Sequence, residues 1–425
     1  MKIGLQTWGS EGDVQPFTAL AAGLVKAGHD VTLAITDNVG RDYGELGRKY
    51  GYRIITAPLP QPPGEAEVER IWQTIIELGN PIRQAEVVLK YGFDPAVEEM
   101  YRAATALCEE NDAVIGHFFV YPLRVAAAKR GVPVATVNVV HNCIPTATIC
   151  PPGFPDLGRW SYPLAWRLVR HAVNRIFLPR VNALRRREGL APDRDVMLDT
   201  WASPRLNLLG VSRAICQRPA DWAEQHHVCG FFRAPAVTGT DRLPEGLLDF
   251  LSQGPPPVYI TFGSMMLKSS SYVRETVGIW IEAVQRAGCR AILQIPYEDL
   301  ASFQTGESIF KVRRTPYREV FPDCSMIVHH GGAGTTQSAL EAGKPMIIVA
   351  HVADQFFWGA ELERLGCAGK TLGRKGFRAV DLAGGIQSVL AAPEMARNAA
   401  DLGRQMAMED GVSEAVKLIE QKLLP

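Results

Sequence analysis

The stretch Ser325–Gly343, SMIVHHGGAGTTQSALEAG, decides the fold class of this 425-residue chain. An apolar run suited to a buried strand ends in His329 and His330, and three glycines follow within four positions. A helical pattern begins at Thr335 or Thr336, either of which suits a helix N-cap. A strand, a glycine turn and a helix in this order predict one unit of a parallel α/β sheet.

The glycine turn is also a candidate anion site. Gly331, Gly332 and Gly334 let a ligand approach the backbone, and the helix N-terminus that follows offers free N–H groups to a diphosphate. His330 can donate a hydrogen bond to the same anion, whereas His329 faces the opposite side of the strand and is predicted to be structural. The alternative is a turn that needs its glycines only for close packing.

Strands and helices alternate in both halves of the chain. Predicted strands lie at 2–7, 30–35, 53–56, 113–116 and 134–137, and again at 258–262, 291–295, 309–313, 326–329 and 345–349. One long helical stretch is predicted from 68 to 110. The pattern predicts two α/β domains, at 1–218 and 255–393, which are joined by a Pro-, Gly- and polar-rich linker at 219–254 and enclose a cleft.

Composition excludes several classes of protein. Lys and Arg number 45 and Asp and Glu number 45, so the chain lacks the basic surface of a nucleic-acid binder. The amino terminus has no signal-peptide pattern, and no apolar run is long enough to span a membrane. The 8 cysteines form no C-x-x-C pair. We therefore predict a cytoplasmic protein with reduced thiols and no metal site.

A second polar cluster follows the next predicted strand. Asp354 and Gln355 lie just beyond 345–349, at the same sheet edge as the glycine turn. They are candidates to hold the vicinal hydroxyls of a sugar. The alternative for Asp354 is a helix N-cap.

The turn after the first strand has a different chemistry. Glu11 and Asp13 place negative charge where a pyrophosphate would bind, which argues against NAD or ATP at this turn. Asp13 is a candidate general base, because a carboxylate at a helix start can accept the proton of a hydroxyl group. N-capping explains Asp13 equally well.

Four segments together resemble family 1 glycosyltransferases. VHHGGAGTT at 328–336 and ADQFFWG at 353–359 look like their donor signature, and VYITFGSM at 258–265 resembles the first strand and F-G-S loop of their second domain. GSEGDVQP at 9–16 is similar to the opening of bacterial and fungal sterol glucosyltransferases and of antibiotic glycosyltransferases. The resemblance implies a GT-B fold, in which two Rossmann-like domains face each other across a cleft, and an inverting, metal-independent reaction.

The resemblance also assigns roles to residues. It implies that the diphosphate is bound by the glycine turn with His330 and Thr335 and by Ser264, that Asp354 and Gln355 hold the sugar, and that Asp13 is the base. It further implies that the C-terminal helices, 394–425, pack back toward the first domain. Relatives of the plant type have Trp and Glu where Ala333 and Ser338 stand. The choice between UDP and dTDP is therefore open.

Aromatic residues in the first half suggest an acceptor pocket. Phe118, Phe119 and Tyr121 follow the strand at 113–116, and Trp160 lies in a proline-rich irregular region. Their density suits an apolar ring system, and core packing is the alternative. The arginine-rich stretch 160–187 is a candidate for peripheral membrane contact, with a solvated helix face as the alternative. The D-x-D at 193–195 is predicted to be solvated surface.

These features predict an inverting glycosyltransferase that uses a UDP- or dTDP-sugar. It would transfer a hexose, with glucose as the favoured candidate, to a lipophilic hydroxyl compound such as a sterol, polyketide or phenolic. It would need no cofactor beyond this cosubstrate and would act as a monomer or homodimer without nucleic acid. One alternative is a protein that binds a nucleotide sugar or lipid without catalysis. A GT-B nucleotide-sugar epimerase is another, and a Rossmann oxidoreductase is disfavoured by the acids near residue 13.

Overall fold

The computed structural model describes residues 1–37, 43–59, 64–151, 153–234, 243–263, 270–295 and 300–423. The chain forms two compact units. Unit 1 comprises Met1–Pro62, Ala85–Pro235 and Glu409–Pro425, and unit 2 comprises Pro63–Gln84 and Ala236–Met408.

Unit 1 is built around a seven-stranded sheet with strand order β3-β2-β1-β4-β5-β6-β7, in which every pair of neighbours is parallel. Its strands are β1 (Lys2–Gly9), β2 (Asp30–Asp37), β3 (Arg53–Thr56), β4 (Ala113–His117), β5 (Val134–Asn138), β6 (Leu206–Leu209) and β7 (His226–Val228). The accompanying helices are α1 (Glu11–Lys26), α2 (Gly44–Tyr50), α5 (Val97–Glu110), α6 (Tyr121–Arg130), α7 (Tyr162–Arg187) and α15 (Gly411–Lys422).

Unit 2 contains a six-stranded sheet with strand order β10-β9-β8-β11-β12-β13, again parallel throughout. Its strands are β8 (Val258–Thr261), β9 (Ala291–Gln294), β10 (Ile309–Val312), β11 (Met326–His329), β12 (Met346–Ala350) and β13 (Leu372–Gly373). Its helices are α3 (Glu65–Leu78), α8 (Leu247–Ser252), α9 (Ser270–Ala287), α10 (Tyr317–Val320), α11 (Ala333–Glu341), α12 (Ala353–Arg364), α13 (Ala379–Leu390) and α14 (Pro393–Ala407), and α4 (Pro81–Val88) crosses the boundary between the units.

The strands are apolar on both faces because helices cover both sides of each sheet. Ile3 and Leu5 of β1 are fully buried with the inner face of α1, and Val114 of the neighbouring β4 packs in a separate cluster with α5 and α6. In unit 2 the buried Trp280 of α9 packs with the side chains of β8 and β9. The prediction of two α/β units, each with a parallel sheet, is confirmed.

The C-terminal helices divide between the units, which corrects the expectation that 394–425 packs as one piece on the first domain. Helix α14 packs on α11 in unit 2, and Gly403 comes so close that a Cβ there would lie 2.7 Å from the Leu340 carbonyl oxygen. Helix α15 packs on α1 in unit 1 and adds Ala415 and Ile419 to its core.

The long helical stretch predicted over 68–110 is confirmed as helical, but the chain breaks it twice. Gly79 ends α3 and Pro81 opens α4, where its missing N–H costs no hydrogen bond. Asp94-Pro95 interrupts the helix again before α5. Helix α3 joins unit 2, where Trp72 packs against the core and Glu69 accepts a hydrogen bond from Ser271.

The predicted linker 219–254 was too wide. Strand β7 lies inside it and extends the sheet of unit 1 by pairing with β6, which the sequence analysis also missed. Both strands are short, and His226 and His227 hide the apolar pattern of β7. Among the residues that the structure describes, no helix combines the length and the apolar character needed to cross a bilayer.

The contact between α1 and α15 can be tested at Gly23, where a Cβ would lie 2.3 Å from Cγ1 of Val412. Because valine is stiff at χ1 in a helix, Gly23→Ala should destabilise the protein by about 1–3 kcal/mol. With Val412→Ala present, the same change should become neutral or stabilising by up to about 1 kcal/mol, since alanine favours helix over glycine. Urea unfolding of the four proteins measures this, and equal destabilisation in both backgrounds would contradict the packing.

Candidate active site

The glycine turn of unit 2 lies between β11 and α11 at the carboxyl edge of the sheet. Gly331 has φ +90°, and a Cβ there would lie 2.8 Å from Cγ2 of Ile348. Gly332 is the N-cap of α11, and the N–H of Thr336 closes the first turn on the Gly332 carbonyl at 2.9 Å. The N-cap expected at Thr335 or Thr336 is therefore wrong by three residues or more, because the extended glycine lets the helix start earlier. The N–H groups of the first turn have no partner within the helix.

His330 lies beside this turn as a neutral imidazole. Its ring is buried, and burial lowers its pKa to about 4. The glycines leave room for it: a Cβ on Gly332 would lie 2.4 Å from Nε2, and a Cβ on Gly263 would lie 3.1 Å from Cε1. Nδ1 has no hydrogen-bond partner among the described residues. A neutral imidazole carries one N–H, so His330 can donate one hydrogen bond to a ligand.

His329 points the other way, as expected from strand alternation. It is fully buried, and its Nδ1 accepts a hydrogen bond from the N–H of Gly331 at 3.0 Å. The two histidine rings are nearly perpendicular. His329 thus fixes the turn from inside. Ser264, the other predicted diphosphate ligand, lies outside the described residues.

The second cluster contacts the turn directly. The Cβ position of Gly331 is 3.1 Å from Cβ of Gln355. Oε1 of Gln355 accepts hydrogen bonds from the backbone N–H groups of His351 (2.7 Å) and Val352 (3.2 Å), so Gln355 takes the capping role considered for Asp354. The amide oxygen is thereby occupied, and only the amide nitrogen of Gln355 is left for a sugar. Asp354 is half-buried on the first turn of α12.

The sequence analysis did not predict a buried side-chain network that lies behind the loop between β12 and α12. The Tyr272 hydroxyl lies 3.2 Å from Nε2 of His351, and Arg374 contacts Tyr272 and donates to Oγ1 of Thr276 at 3.2 Å. Arg374 is 8% exposed. The sequence carries no motif for this network, because its four side chains come from three separate segments: α9, the end of β12 and the segment after β13. The network holds the backbone that leads into α12.

Asp13 occupies the corresponding edge of unit 1. It is the third residue of α1, and its Oδ2 accepts hydrogen bonds from the N–H (2.9 Å) and hydroxyl (3.3 Å) of the N-cap Ser10. A Cβ on Gly9, whose φ is +130°, would lie 2.3 Å from the same oxygen. Helix capping therefore uses one carboxylate oxygen of Asp13, and the other oxygen remains for different contacts.

His117, which the sequence analysis did not predict as a site residue, faces the second carboxylate oxygen of Asp13. Its Nε2 lies 3.6 Å from Oδ1 of Asp13. Nδ1 accepts a hydrogen bond from the N–H of Phe119 at 3.4 Å, so the ring proton of the neutral tautomer is on Nε2, toward Asp13. The available signal was topological: His117 ends β4, which pairs with β1, so both carboxyl ends meet.

Burial shifts the two pKa values of this pair in opposite directions. It raises the pKa of Asp13 to about 6, although the hydrogen bonds from Ser10 oppose the rise, and it lowers the pKa of His117 to about 3. The Asp13 side chain is still 30% exposed. At neutral pH the pair is thus an accessible carboxylate beside a neutral imidazole.

Comparison with known proteins identifies the family of this chain. Residues 3–136 match the glycosyltransferase family 28 N-terminal domain, and residues 287–421 match the C-terminal domain of erythromycin biosynthesis protein CIII-like proteins. O-mycaminosyltylonolide 6-deoxyallosyltransferase of Streptomyces fradiae is 31% identical over 434 residues, which cover 99% of this chain and 97% of that protein. The chain belongs to the GT-B family of antibiotic and sterol glycosyltransferases.

Two further similarities support this assignment. A sterol 3-beta-glucosyltransferase of Arabidopsis thaliana is 29% identical over 442 residues, which cover 100% of this chain and 68% of that protein. The crystal structure of the glycosyltransferase VinC in complex with dTDP shares the fold, with a TM-score of 0.65 at 19% identity over 99% of both chains. The predicted family and GT-B fold are confirmed.

The predicted acceptor residues of this glycosyltransferase separate into three environments. Phe118 and Phe119 follow His117 directly: the Phe118 ring is 4.7 Å from that of His117, and Phe119 stacks between Trp8 (5.6 Å) and Trp201 (5.9 Å).

Tyr121 and Trp160 do not join the candidate acceptor site. Tyr121 is buried against Phe93, so it supports the aromatic cluster from behind. Trp160 is 77% exposed, in a short turn just before α7, and belongs to another surface of unit 1. Aromatic density in sequence could not distinguish these environments.

The D-x-D at 193–195 is not the solvated surface that was predicted. Asp193 pairs with Arg185 at 3.1 Å, and Asp195 pairs with Arg170 at 2.7 Å while it caps the next helical turn. Arg185 and Arg170 neutralise the two carboxylates, which allows Asp193 and Asp195 to be largely buried.

The raised pKa of Asp13 has a consequence for stability. Between pH 3.8 and 6 the unfolded chain releases this proton while the folded chain retains it, so the native stability falls as the pH rises across that window. Asp13→Asn cannot titrate and can still accept from Ser10. We expect the stability of this variant, relative to the native protein, to increase from pH 4 to 6 and to stay level above. Calorimetric Tm values across this pH range measure it. A relative stability that falls as the pH rises would mean that Asp13 is only an ionised helix cap.

Proposed function

We propose that this glycosyltransferase transfers a hexose from a UDP- or dTDP-sugar to a hydroxyl of a sterol or another lipophilic natural product. Glucose is the favoured hexose, and the reaction inverts the anomeric carbon and needs no metal ion. The observation that carries the proposal is the Asp13 carboxylate, which has one oxygen fixed by Ser10 and the other facing His117. This arrangement suits a general base.

The proton transfer follows from the pKa of Asp13. With a pKa of about 6 the carboxylate is ionised at neutral pH, yet it is more basic than an ordinary aspartate. Oδ1 accepts the proton of the acceptor hydroxyl as that oxygen attacks the anomeric carbon. The bond from the anomeric carbon to the diphosphate oxygen breaks on the opposite side, and the nucleoside diphosphate leaves with the electron pair.

His117 positions the base. Its Nε2–H faces Oδ1 of Asp13, and Nδ1 is held by the N–H of Phe119, so the ring cannot change tautomer without losing a contact. Because burial keeps His117 neutral, it orients the carboxylate without taking the proton itself.

The donor side supplies uncharged hydrogen-bond donors. The first N–H groups of α11 and the neutral ring of His330 can stabilise the charge that develops on the departing diphosphate. VinC was crystallised in complex with dTDP, which supports a nucleoside diphosphate as the leaving group, and UDP is the other candidate. We place this diphosphate at the glycine turn because of the N–H groups there. Asp354 and the amide nitrogen of Gln355 are proposed to hold the sugar.

The acceptor class rests on the relatives and on the aromatic residues. The relatives are named for a sterol and for O-mycaminosyltylonolide. Phe118 is buried against the His117 ring, and Phe119, packed beside Phe118, is half-buried and leaves part of its ring exposed. An apolar acceptor that places its hydroxyl at Asp13 would extend over these rings.

The proposal predicts acceptor-dependent release of nucleoside diphosphate. UDP- and dTDP-hexoses are screened with a sterol and with a phenolic acceptor, with and without EDTA. We expect release that EDTA does not change and that Asp13→Asn lowers by about 10²- to 10⁴-fold, the usual contribution of a general base. Asp30→Asn is the control, since Asp30 is an exposed acid at the other edge of the same sheet.

The other outcomes decide between the alternatives. Binding of the nucleotide sugar without any transfer would favour a binding protein. Interconversion of the donor sugar without acceptor would favour an epimerase, and full activity of Asp13→Asn would remove Asp13 from the mechanism.

The pH dependence tests the Asp13–His117 pair. Because the base must be ionised, kcat/KM should fall about tenfold per pH unit below pH 6 and level off above it. His117→Leu keeps the apolar surroundings but removes the N–H, so the apparent pKa should rise and kcat should fall. His117→Gln retains a donor near the same place and should keep the pKa near 6. Identical profiles for both variants would show that His117 does not act through Asp13.

A further inference from the structure

Helix α7 is apolar on two sides over its first half. Its inner side packs Tyr162, Ala165 and Trp166 into unit 1. A second row of apolar residues is exposed: Leu164 and Leu168 lie on the outer side of α7, and Leu157 and Trp160 lie in the segment that leads into the helix. A helix that is apolar on two sides normally buries both, so this outer row needs a partner.

Basic side chains flank the outer row. Arg159 and Arg167 are exposed beside it, and His171 and Arg175 continue the same helix face where the apolar residues end. Among the described residues no carboxylate pairs with Arg159, Arg167 or Arg175.

The acids near this face are already engaged. Asp195 pairs with Arg170. The carboxylate of Asp156 accepts hydrogen bonds from the hydroxyl of Tyr162 (2.7 Å) and the N–H of Gly158 (3.0 Å). Asp156 keeps its negative charge in these hydrogen bonds, so three exposed arginines, Arg159, Arg167 and Arg175, stand against one exposed carboxylate beside the row.

We propose that the exposed row Leu157, Trp160, Leu164 and Leu168, at the start of α7, docks this protein on an anionic lipid membrane. Exposed leucines and a tryptophan at a helix start, beside unpaired arginines, match the composition of segments that lie in the membrane–water interface. The apolar side chains enter the acyl boundary, and Arg159, Arg167 and Arg175 contact the headgroup phosphates. This inference does not rest on the proposed sugar transfer.

The charges favour a membrane over a second copy of the chain. A two-fold dimer through this face would place the same patch on both sides of the interface, so the arginines of one copy would face those of the other. An anionic surface instead attracts all three arginines. On the helix itself the row from Leu164 to Leu168 spans about 6 Å, which suits a shallow insertion and is far too short for a membrane span.

The test is co-sedimentation of the full chain with vesicles of phosphatidylcholine, with and without phosphatidylglycerol, in the absence of any sugar donor. We expect binding to the anionic vesicles that weakens with salt. The double variant Leu164→Ser/Leu168→Ser should lower the partition coefficient by at least about tenfold, because it removes the inserted groups. Arg167→Gln/Arg175→Gln should remove the preference for phosphatidylglycerol.

Leu248→Ser is the matched control, since Leu248 is 61% exposed and Leu164 is 59% exposed. This control should bind vesicles like the native protein. Failure of the native chain to bind either vesicle, or equal losses in the control and the double variant, would overturn the proposal. Light scattering after size-exclusion chromatography tests whether the row instead binds a second copy of the chain. A native dimer that Leu164→Ser/Leu168→Ser dissociates, without vesicle binding, would also overturn the membrane proposal.

Discussion

The parallel pairing of neighbouring strands is the constraint on which the candidate site residues of each unit depend. In unit 1, Gln6 pairs with Gly116, so the segments that leave β1 and β4 emerge side by side. This register brings Asp13 and His117 to 3.6 Å although they are about a hundred residues apart in the chain. In unit 2, His329 pairs with Thr261 of β8 and with Ile348 of β12. The same rule gathers His330, Gly263 and Gln355 at one edge.

The glycines at these edges make room mainly for the protein's own side chains. Gly9 leaves space for Oδ2 of Asp13, Gly332 for the His330 ring, and Gly331 for Ile348 and Gln355. Only Gly334 of the donor turn has open space at its Cβ position. Close packing therefore explains Gly331 and Gly332, whereas ligand approach at Gly334 stays a prediction. A side chain at Gly331 or Gly332 would displace Ile348, Gln355 or His330.

Periodicity and motif spacing were sufficient to predict the two parallel sheets and to place the glycine turn and Asp13 at the carboxyl edges of those sheets. They failed where a residue's role depends on contacts distant in sequence. The sequence analysis assigned the residues of α3 to the first domain, whereas in the structure Trp72 of α3 packs against the core of unit 2. Trp160 and Phe119 have the same aromatic character in sequence, yet one lies on the surface and the other lies inside a ring cluster. His117 carried no motif, and only strand order connects it to Asp13.

Burial gives the site its charge state. The same loss of solvent raises the pKa of Asp13 and lowers the pKa values of His117, His330 and His351, because it disfavours whichever form is charged. At neutral pH the three histidines are uncharged donors or acceptors, and Asp13 is ionised. In the proposed reaction, Asp13 of unit 1 is the proton acceptor, and the neutral donors at the start of α11 in unit 2 receive the diphosphate. Desolvation thus separates the two ends of the proposed reaction into a base and an anion site, even though the chain as a whole has no net charge.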